Sequence, residues 1–186
     1  MKKELLPSFL LSIICLILFS GIYPLIIWGI ACVTPNNGEG EVINVNGKKY
    51  YANIGQKFTD DKYFYSRPSA VAYNAAGSGG SNKGPYNEEY QEDVKKRIDT
   101  FMVHNPGIAK SEIPSDLVTA SGSGLDPDIS IQGAKVQVKR IAATRHIAED
   151  KLYSLIDNQT ERPFLSMFGP SKINVLKLNV MLENLK

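Results

Sequence analysis

The sequence predicts an α+β protein: a single N-terminal transmembrane helix, then one compact extracytoplasmic domain with a small antiparallel sheet and about three to four helices. Two observations predict this fold class. Residues 9–33 form an uncharged apolar run, and residues 34–186 form a polar body in which one hairpin signal precedes several stretches of helical periodicity. We therefore expect a cytoplasmic N-terminus (1–8), a transmembrane helix (9–33) and an extracytoplasmic domain (34–186).

The apolar run is long enough to cross a membrane. Phe9–Val33 contains 25 residues and no charge. As a helix it would extend roughly 37 Å, more than the ~30 Å hydrocarbon core of a bilayer. A secretory signal has a shorter apolar region, about 7–15 residues, and a small-residue cleavage site, which we do not find at the end of this run. We expect a retained span.

Charge and ring placement predict how this span is oriented. Lys2 and Lys3 precede it, and the next basic residue is Lys48. Basic flanks stay in the cytoplasm, so we expect a single-pass protein of the cell membrane with its main domain outside. Tyr23 suits a helix nearing the outer interface. Pro24 removes one backbone hydrogen bond, which indicates either a protein partner within the bilayer or an ordinary tolerated proline.

The composition of the remaining chain excludes several classes of function. Beyond residue 8 there are 19 basic and 18 acidic residues, so no basic surface for nucleic acid is expected. Cys15 and Cys32 both lie in the apolar run, which leaves the outer domain without a disulfide or a thiolate metal site. With only two histidines, a histidine metal cluster is not expected either.

The first part of the body reads as a hairpin and a long loop. Asn46-Gly47 supplies the positive φ angles of a tight turn between strands at 41–45 and 48–52. Residues 55–84 are rich in Tyr, Ser, Asn and Gly, a composition typical of flexible linkers. Because this stretch also holds many aromatic residues, we predict a packed loop.

Helical signals follow the loop. Asn87 caps a helix that extends to about residue 102, and Ser130 caps a second helix that runs through Arg145. A third helix is predicted at 149–158. The end of the chain, 174–185, fits helix or strand, and its apolar spacing favours a helix.

Alternating serine and glycine give the sharpest local pattern. The residues concerned are Ser121, Gly122, Ser123 and Gly124. Before a helix start, such a segment can form a nest of backbone N–H groups for a phosphate. The alternative is a structural turn, set by Asp126-Pro127 and the glycines. The segment lacks the lysine and spacing of a P-loop, and ATP is cytoplasmic whereas this loop should be outside.

Charged side chains near this segment have two interpretations each. Asp126 and Asp128 are either cation ligands or turn-capping residues, and the latter is the commoner role. Arg67, before Pro68, has the fork geometry to hold a carboxylate or loop carbonyls. We favour a structural clamp over a substrate site.

Several longer motifs follow one another along the chain. They are GIYPL (21–25), IGQKF (54–58), YFYSRPSA (63–70), YN (73–74), SGGSN (78–82), DLVTASGSGLDPDIS (116–130), Gln137, Arg140, Arg145 and NVLKLN (174–179). In this order they cover nearly the whole chain, and through them it resembles the C subunit of the Kdp potassium-transporting ATPase of bacteria. The family usually has His at Asp128, Pro at Ile131, Gly at His146 and Leu at Lys83, so the role of the turn after Pro127 does not carry over.

The resemblance implies a non-catalytic partner in a larger pump. A channel-like A subunit would carry potassium, and a P-type B subunit would hydrolyse ATP through its own aspartate. The C subunit would support assembly and function of the complex, with no catalytic residue, metal or cofactor of its own. Structural or interaction roles would fall to the matching residues: Tyr23, Pro24, Arg67, Pro68, Ser81, Asn82, Asp126, Pro127, Gln137, Arg140, Arg145 and Asn174.

Two other functions stay open at this point. Family descriptions attach ATP binding to the C subunit, which would make Ser121–Gly124 a regulatory nucleotide site that raises the ATP affinity of the pump. A tethered extracellular protein that binds a small ligand is the third hypothesis.

Overall fold

The computed structural model describes residues 2–163, 165, 167 and 169–185, without the side chains of Lys2 and Lys3. The chain divides into two compact units, Met1–Val42 and Ile43–Lys186, which are described separately. Its helices and strands, in chain order, are α1 (Lys2–Ile17), α2 (Tyr23–Val33), β1 (Val42–Val45), β2 (Lys48–Tyr51), α3 (Glu88–His104), β3 (Asp128–Ile129), α4 (Ile131–Lys135), α5 (Val138–Arg145), α6 (Glu149–Gln159), β4 (Thr160–Glu161), β5 (Lys172–Asn174) and α7 (Val175–Glu183). The predicted α+β class is confirmed.

The N-terminal unit is built on one long apolar helix. Glu4–Val33 is helical over 30 residues and, within the described part of the chain, is the helix long and apolar enough to cross a membrane. Its large side chains are exposed, Trp28 by 67%. An apolar helix without a protein covering is suited to lipid or to another apolar surface.

A π-helical turn interrupts this helix next to its proline. Leu18–Ile22 joins α1 to α2, and the N–H of Tyr23 donates to the carbonyl of Leu18, five residues back. Pro24 has no N–H to donate to the Ser20 carbonyl, four residues before it. The wider turn therefore lies where the ordinary i to i−4 hydrogen-bond ladder is already broken.

The predicted hairpin is present. Strands β1 and β2 pair across Asn46 and Gly47, whose φ angles are 50° and 78°. Positive φ at both central residues is the geometry of the tight turn that Asn-Gly favours.

A second sheet, which the sequence analysis missed, lies in the middle of the C-terminal unit. Its strand order is β3-β5-β4, and both pairings are antiparallel, with Ile129 opposite Ile173 and Thr160 opposite Ile173. Strands of two or three residues are too short to show a period of two. The final segment, 174–185, forms helix α7 as favoured, and strand β5 directly precedes that helix and ends at Asn174.

The predicted helix from Ser130 to Arg145 is wrong in one respect, because it is two helices. Ser130 does cap α4, since its Oγ accepts from the N–H of Gly133 at 2.9 Å. The break falls at Gln137, whose side-chain Nε2 donates to the Gly133 carbonyl at 2.8 Å. The backbone N–H of Gln137 bonds instead to Ala134, which tightens the turn before α5.

The core of this unit lies between the second sheet, α5, α6 and α7. Helix α3 adds Phe101 to it, and the loop before α3 adds Phe64, which is fully buried. The other large side chains that are fully buried among the described residues are Ile141, Leu152, Ile156, Ile173, Leu178, Leu182, Gln137, Val138 and Val175. Phe64 anchors the loop in the core, so the stretch around it packs as predicted, whereas residues 74–78 of the same loop are exposed.

Candidate functional site

The candidate site is the set of polar contacts that fixes the loop of residues 55–82. Phe64 is at its centre, and the amide of Asn179 on α7 binds both backbone groups of Phe64. The N–H of Phe64 donates to Asn179 Oδ1 at 2.9 Å, and Asn179 Nδ2 donates to the Phe64 carbonyl at 2.9 Å. Asn179 is 2% exposed, so this amide takes the place that a neighbouring strand would have in a sheet.

Gln137 and Arg140 hold the next residue of the loop. The N–H of Tyr65 donates to Gln137 Oε1 at 2.7 Å, and Arg140 Nη2 donates to the same oxygen at 2.8 Å. Arg140 Nε donates to Asn105 Oδ1 at 3.0 Å, and Nη1 donates to the carbonyl of Asp61. The guanidinium carbon lies 4.0 Å from the centroid of the Tyr65 ring.

The charged groups of this network are the buried guanidinium of Arg140 and the half-exposed carboxylate of Asp61. Burial lowers the pKa of Arg140, whereas the nearby Tyr65 and Asp61 act in the opposite direction. The hydrogen bond from the Tyr65 hydroxyl, together with His104 Nδ1 at 2.9 Å, keeps the pKa of Asp61 below its usual value. Burial and the bond to Asp61 raise the pKa of Tyr65 to about 12. Arg140 therefore remains a cation, satisfied by neutral and anionic acceptors.

Arg145 ties the start of the same loop to the end of α7. Its Nε donates to the Lys62 carbonyl at 2.9 Å, its Nη1 donates to the Leu182 carbonyl at 3.2 Å, and its Nη2 pairs with Glu183. A cation near the last carbonyls of a helix also interacts favourably with the helix dipole. A hydrogen bond from Tyr63 lowers the pKa of Glu183.

Arg67 contacts Asp126, the first acid of the Asp-Pro turn. The distance from Nη1 to Oδ2 is 2.8 Å, and Arg67 Nε is buried without a hydrogen-bond partner among the described residues. Asp126 Oδ1 also accepts from the N–H of Asp128, and Asp128 in turn pairs with Lys172 at 2.5 Å. Both carboxylates thus have cationic partners from the chain itself.

The Ser-Gly segment packs against residues 68–80. The N–H of Ser121 donates to the Pro68 carbonyl at 3.1 Å, the Ser123 carbonyl accepts from Gly79 at 2.8 Å, and Ser69 Oγ donates to Gly124 at 2.6 Å. Within the described residues the N–H groups of Gly122 and Ser123 make no hydrogen bond, and both residues are exposed. Strand β3 follows this segment, so no helix begins at it.

Two glycines allow these loops to approach one another. Gly124 has φ +68°, and a Cβ there would lie 2.6 Å from the Gly79 carbonyl oxygen. A Cβ on Gly55 would lie 2.6 Å from the carbonyl oxygen of Asp126. Neither position accepts a side chain without movement of backbone.

The remaining predicted residues are spread over the molecule. Asn174 caps α7 by accepting from Lys177 at 3.0 Å, and its Nδ2 donates to the Ala52 carbonyl at 2.7 Å. The carbonyl of Pro127 accepts from Val175 at 2.9 Å. Ser81 is half-buried, and Asn82 is exposed with φ 53°. Tyr23 and Pro24 belong to the N-terminal helix and take no part in the loop contacts described here.

Sequence reasoning missed several members of the network. They are Asp61, Tyr65, His104, Asn105 and Asn179. Two of them carried a signal: Asn179 is an amide within the otherwise apolar stripe of the last helix, and Tyr65 lies in the motif at 63–70. Asp61 lies in a segment without periodicity, and His104 and Asn105 lie at the C-terminal end of α3, where the sequence does not distinguish a network residue from a solvated one.

Comparison with known proteins places this arrangement in a family. The family model for "KdpC: K+-transporting ATPase, c chain" matches residues 5–184. The potassium-transporting ATPase KdpC subunit of Flavobacterium johnsoniae is 55% identical over 185 residues, 99% of this chain and 100% of the relative. Those of Flavobacterium psychrophilum (52% over 185 residues, 99% and 100%) and Bacteroides fragilis (48% over 188 residues, 99% and 98%) are similar. The family model covers nearly the whole chain and these relatives are about half identical to it, so the chain belongs to the KdpC family of K+-transporting ATPase subunits.

Proposed function

We propose that this chain is an accessory, non-catalytic subunit that stabilises an ATP-driven potassium uptake complex. Its partners would be a channel-like potassium-binding A subunit and a catalytic P-type B subunit. The observation that carries the proposal is that four polar side chains hydrogen-bond to backbone groups of one loop, at residues 61–65. They are Gln137, Arg140, Arg145 and Asn179. Side chains committed in this way fix a surface, and they are not free to bind or transform a substrate.

Orientation is part of the proposal. We place the N-terminus in the cytoplasm, the apolar helix across the cell membrane and the C-terminal unit outside, in accordance with the positive-inside rule. The exposed apolar side chains of the N-terminal helix, including Trp28, support contact with lipid or with membrane helices of the partners. A reporter fused at the C-terminus should be active only outside the cytoplasm, and activity inside would contradict this arrangement.

The assembly role is tested in cells that lack this chain. We expect a lower yield of the A–B complex in detergent and lower potassium uptake at low external potassium, both restored by the intact chain. A normal complex with unchanged uptake would overturn the proposal. An active-site role would instead leave assembly intact and remove only turnover.

A regulatory nucleotide site is the second candidate. The observation that favours it is the pair of exposed, unbonded N–H groups at Gly122 and Ser123. Gly122 has no atom within 4 Å of an added Cβ, so Gly122→Asp would bring a repelling carboxylate without steric conflict. If ATP binds there, the full-length chain should bind it in equilibrium measurements, Gly122→Asp should weaken binding, and the neutral isostere Gly122→Asn should not. No binding to the intact chain would remove this candidate.

A further inference from the structure

A groove lies between the β1–β2 hairpin and helix α7. Its volume is about 600 Å³, within the range of about 300–1,000 Å³ typical of ligand-binding clefts. The hairpin contributes Asn44, Asn46 and Tyr50, and the loop between the hairpin and α3 contributes Phe58 and Tyr63. The opposite wall is the face of α7 that carries Leu176, Asn179, Val180 and Glu183. Leu176 and Asn179 are buried at its base, whereas Glu183 is exposed at its rim. We call this cavity the hairpin groove.

Much of the hydrogen-bonding capacity in the hairpin groove is unused. Within the described residues, the side chains of Asn44, Asn46 and Tyr50 make no hydrogen bond. Gln56 and Asn184, which also line the groove, donate through one amide nitrogen each and retain their carbonyl oxygens. Amides that both donate and accept match the groups of a polypeptide backbone.

The groove is close to neutral. Its charged lining residues are Lys57 and Glu183, and Glu183 is already paired with Arg145. A strongly charged ligand such as a nucleotide would find no excess of opposite charge there. The aromatic side chains instead offer apolar faces, with the ring centroids of Phe58 and Tyr63 only 5.7 Å apart. Half-exposed aromatic residues of this kind are enriched at protein interfaces.

We propose that the hairpin groove binds an extended, uncharged segment of a partner subunit. The backbone of that segment would bond to the free amides, and its apolar side chains would lie on Tyr50, Phe58 and Tyr63. A protein ligand is favoured because the relatives are subunits of a transport ATPase. The inference rests on the proposed assembly role and adds to it the surface and the chemistry of contact.

Site-specific photo-crosslinking in the assembled complex tests the inference. The photoreactive residue benzoylphenylalanine replaces Tyr50, which lines the groove, or Tyr51, its neighbour on β2, which does not and is 46% exposed. Successive strand residues face opposite sides, so the pair is a matched control. We expect the Tyr50 position to form an adduct with a partner subunit, severalfold more than the Tyr51 position, at an uncharged stretch identified by mass spectrometry.

Each result decides the question. Equal adducts at the two positions, adducts to a second copy of this chain or to lipid, or an adduct mapped to a charged stretch would overturn the inference. If the subunits co-purify normally but Tyr50 gives no adduct, the groove proposal fails while the assembly role stands. If the unmodified chain does not co-purify with any subunit, the assembly role itself fails.

A charge variant provides a second measurement in case the photoreactive side chain disturbs the hairpin. Tyr50→Arg should lower the yield of co-purified complex severalfold, since it buries an unpaired cation in a neutral groove. Tyr51→Arg should leave the yield unchanged. Equal yields for the two variants, at melting temperatures equal to the intact chain, would contradict the inference.

Discussion

At the residue scale, one side chain occupies a conformation that its type rarely adopts. His146 follows the last residue of α5 with φ 56° and ψ 40°, the left-handed position where helices commonly end on glycine. A non-glycine residue in this region carries a cost of roughly 1–2 kcal/mol.

We therefore predict that His146→Gly stabilises the C-terminal unit by about 1 kcal/mol, in spite of the greater freedom of glycine in the unfolded chain. Chemical denaturation of the full-length chain in detergent measures the change, with His146→Ala as the control that keeps the strain. A destabilising His146→Gly would mean that the exposed imidazole contributes contacts that outweigh the relief of strain.

A second prediction at this scale concerns Tyr65 and alkaline pH. Its pKa in the folded protein is raised from 10.0 to about 12, so the folded state favours the protonated phenol. The stability associated with this group is fully present below pH 10 and is lost as pH rises from 10 through about 12. The free energy of unfolding of Tyr65→Phe should fall less steeply over this interval than that of the intact chain. Parallel pH profiles would contradict the assignment.

At the element scale, the sequence predicted the long, regular pieces and missed the parts decided by tertiary contacts. The apolar helix, the Asn-Gly hairpin and the caps at Asn87 and Ser130 all follow from local chemistry. The break at Gln137 does not, because it depends on a side chain that folds back onto its own helix and also serves a distant loop. Strands β3, β4 and β5 are two or three residues long and form only by pairing with distant segments, so no local sequence pattern predicts them.

Gln137 accordingly gives the prediction for this scale. Gln137→Leu removes the acceptor of Tyr65 and Arg140 and the donor to Gly133, so one part-buried and two buried groups lose a hydrogen bond. We expect a loss of about 2–4 kcal/mol in the free energy of unfolding. Gln132→Leu, at an exposed position of α4, should change it by less than about 0.5 kcal/mol. Similar effects for the two variants would show that the network contributes little.

At the scale of the whole molecule, two loops far apart in sequence, residues 55–82 and 121–126, pack closely against each other. Residues 55, 79–80 and 122–126 meet through glycine, and their contacts leave no room for a Cβ at Gly55 or Gly124. The motifs at 54–58, 78–82 and 116–130 predicted structural or interaction roles for residues of these loops. Their mutual packing was not predictable, since it depends on which backbone lies opposite each glycine.

We predict that Gly124→Val separates these loops and lowers the yield of the assembled complex, whereas Gly122→Val does not. Valine at Gly124 combines a φ of +68° with a 2.6 Å approach to backbone, and Gly122 has open space. Co-purification of subunits and limited proteolysis of residues 68–82 provide the measurements. If both variants assemble like the intact chain, the loop surface is not required for docking.

The two contacts made by the C-terminal asparagines also have a consequence for biogenesis. Asn174 binds Ala52 across 122 positions of sequence, and Asn179 binds Phe64 across 115. Closing such distant pairs is slow, because the chain loses conformational entropy before the long-range contacts form and stabilise it. A nascent chain whose apolar N-terminal helix has already entered the bilayer must therefore wait for α7 to emerge before its core can form. During that wait, the half-made subunit would be most exposed to proteases and most in need of a partner or chaperone.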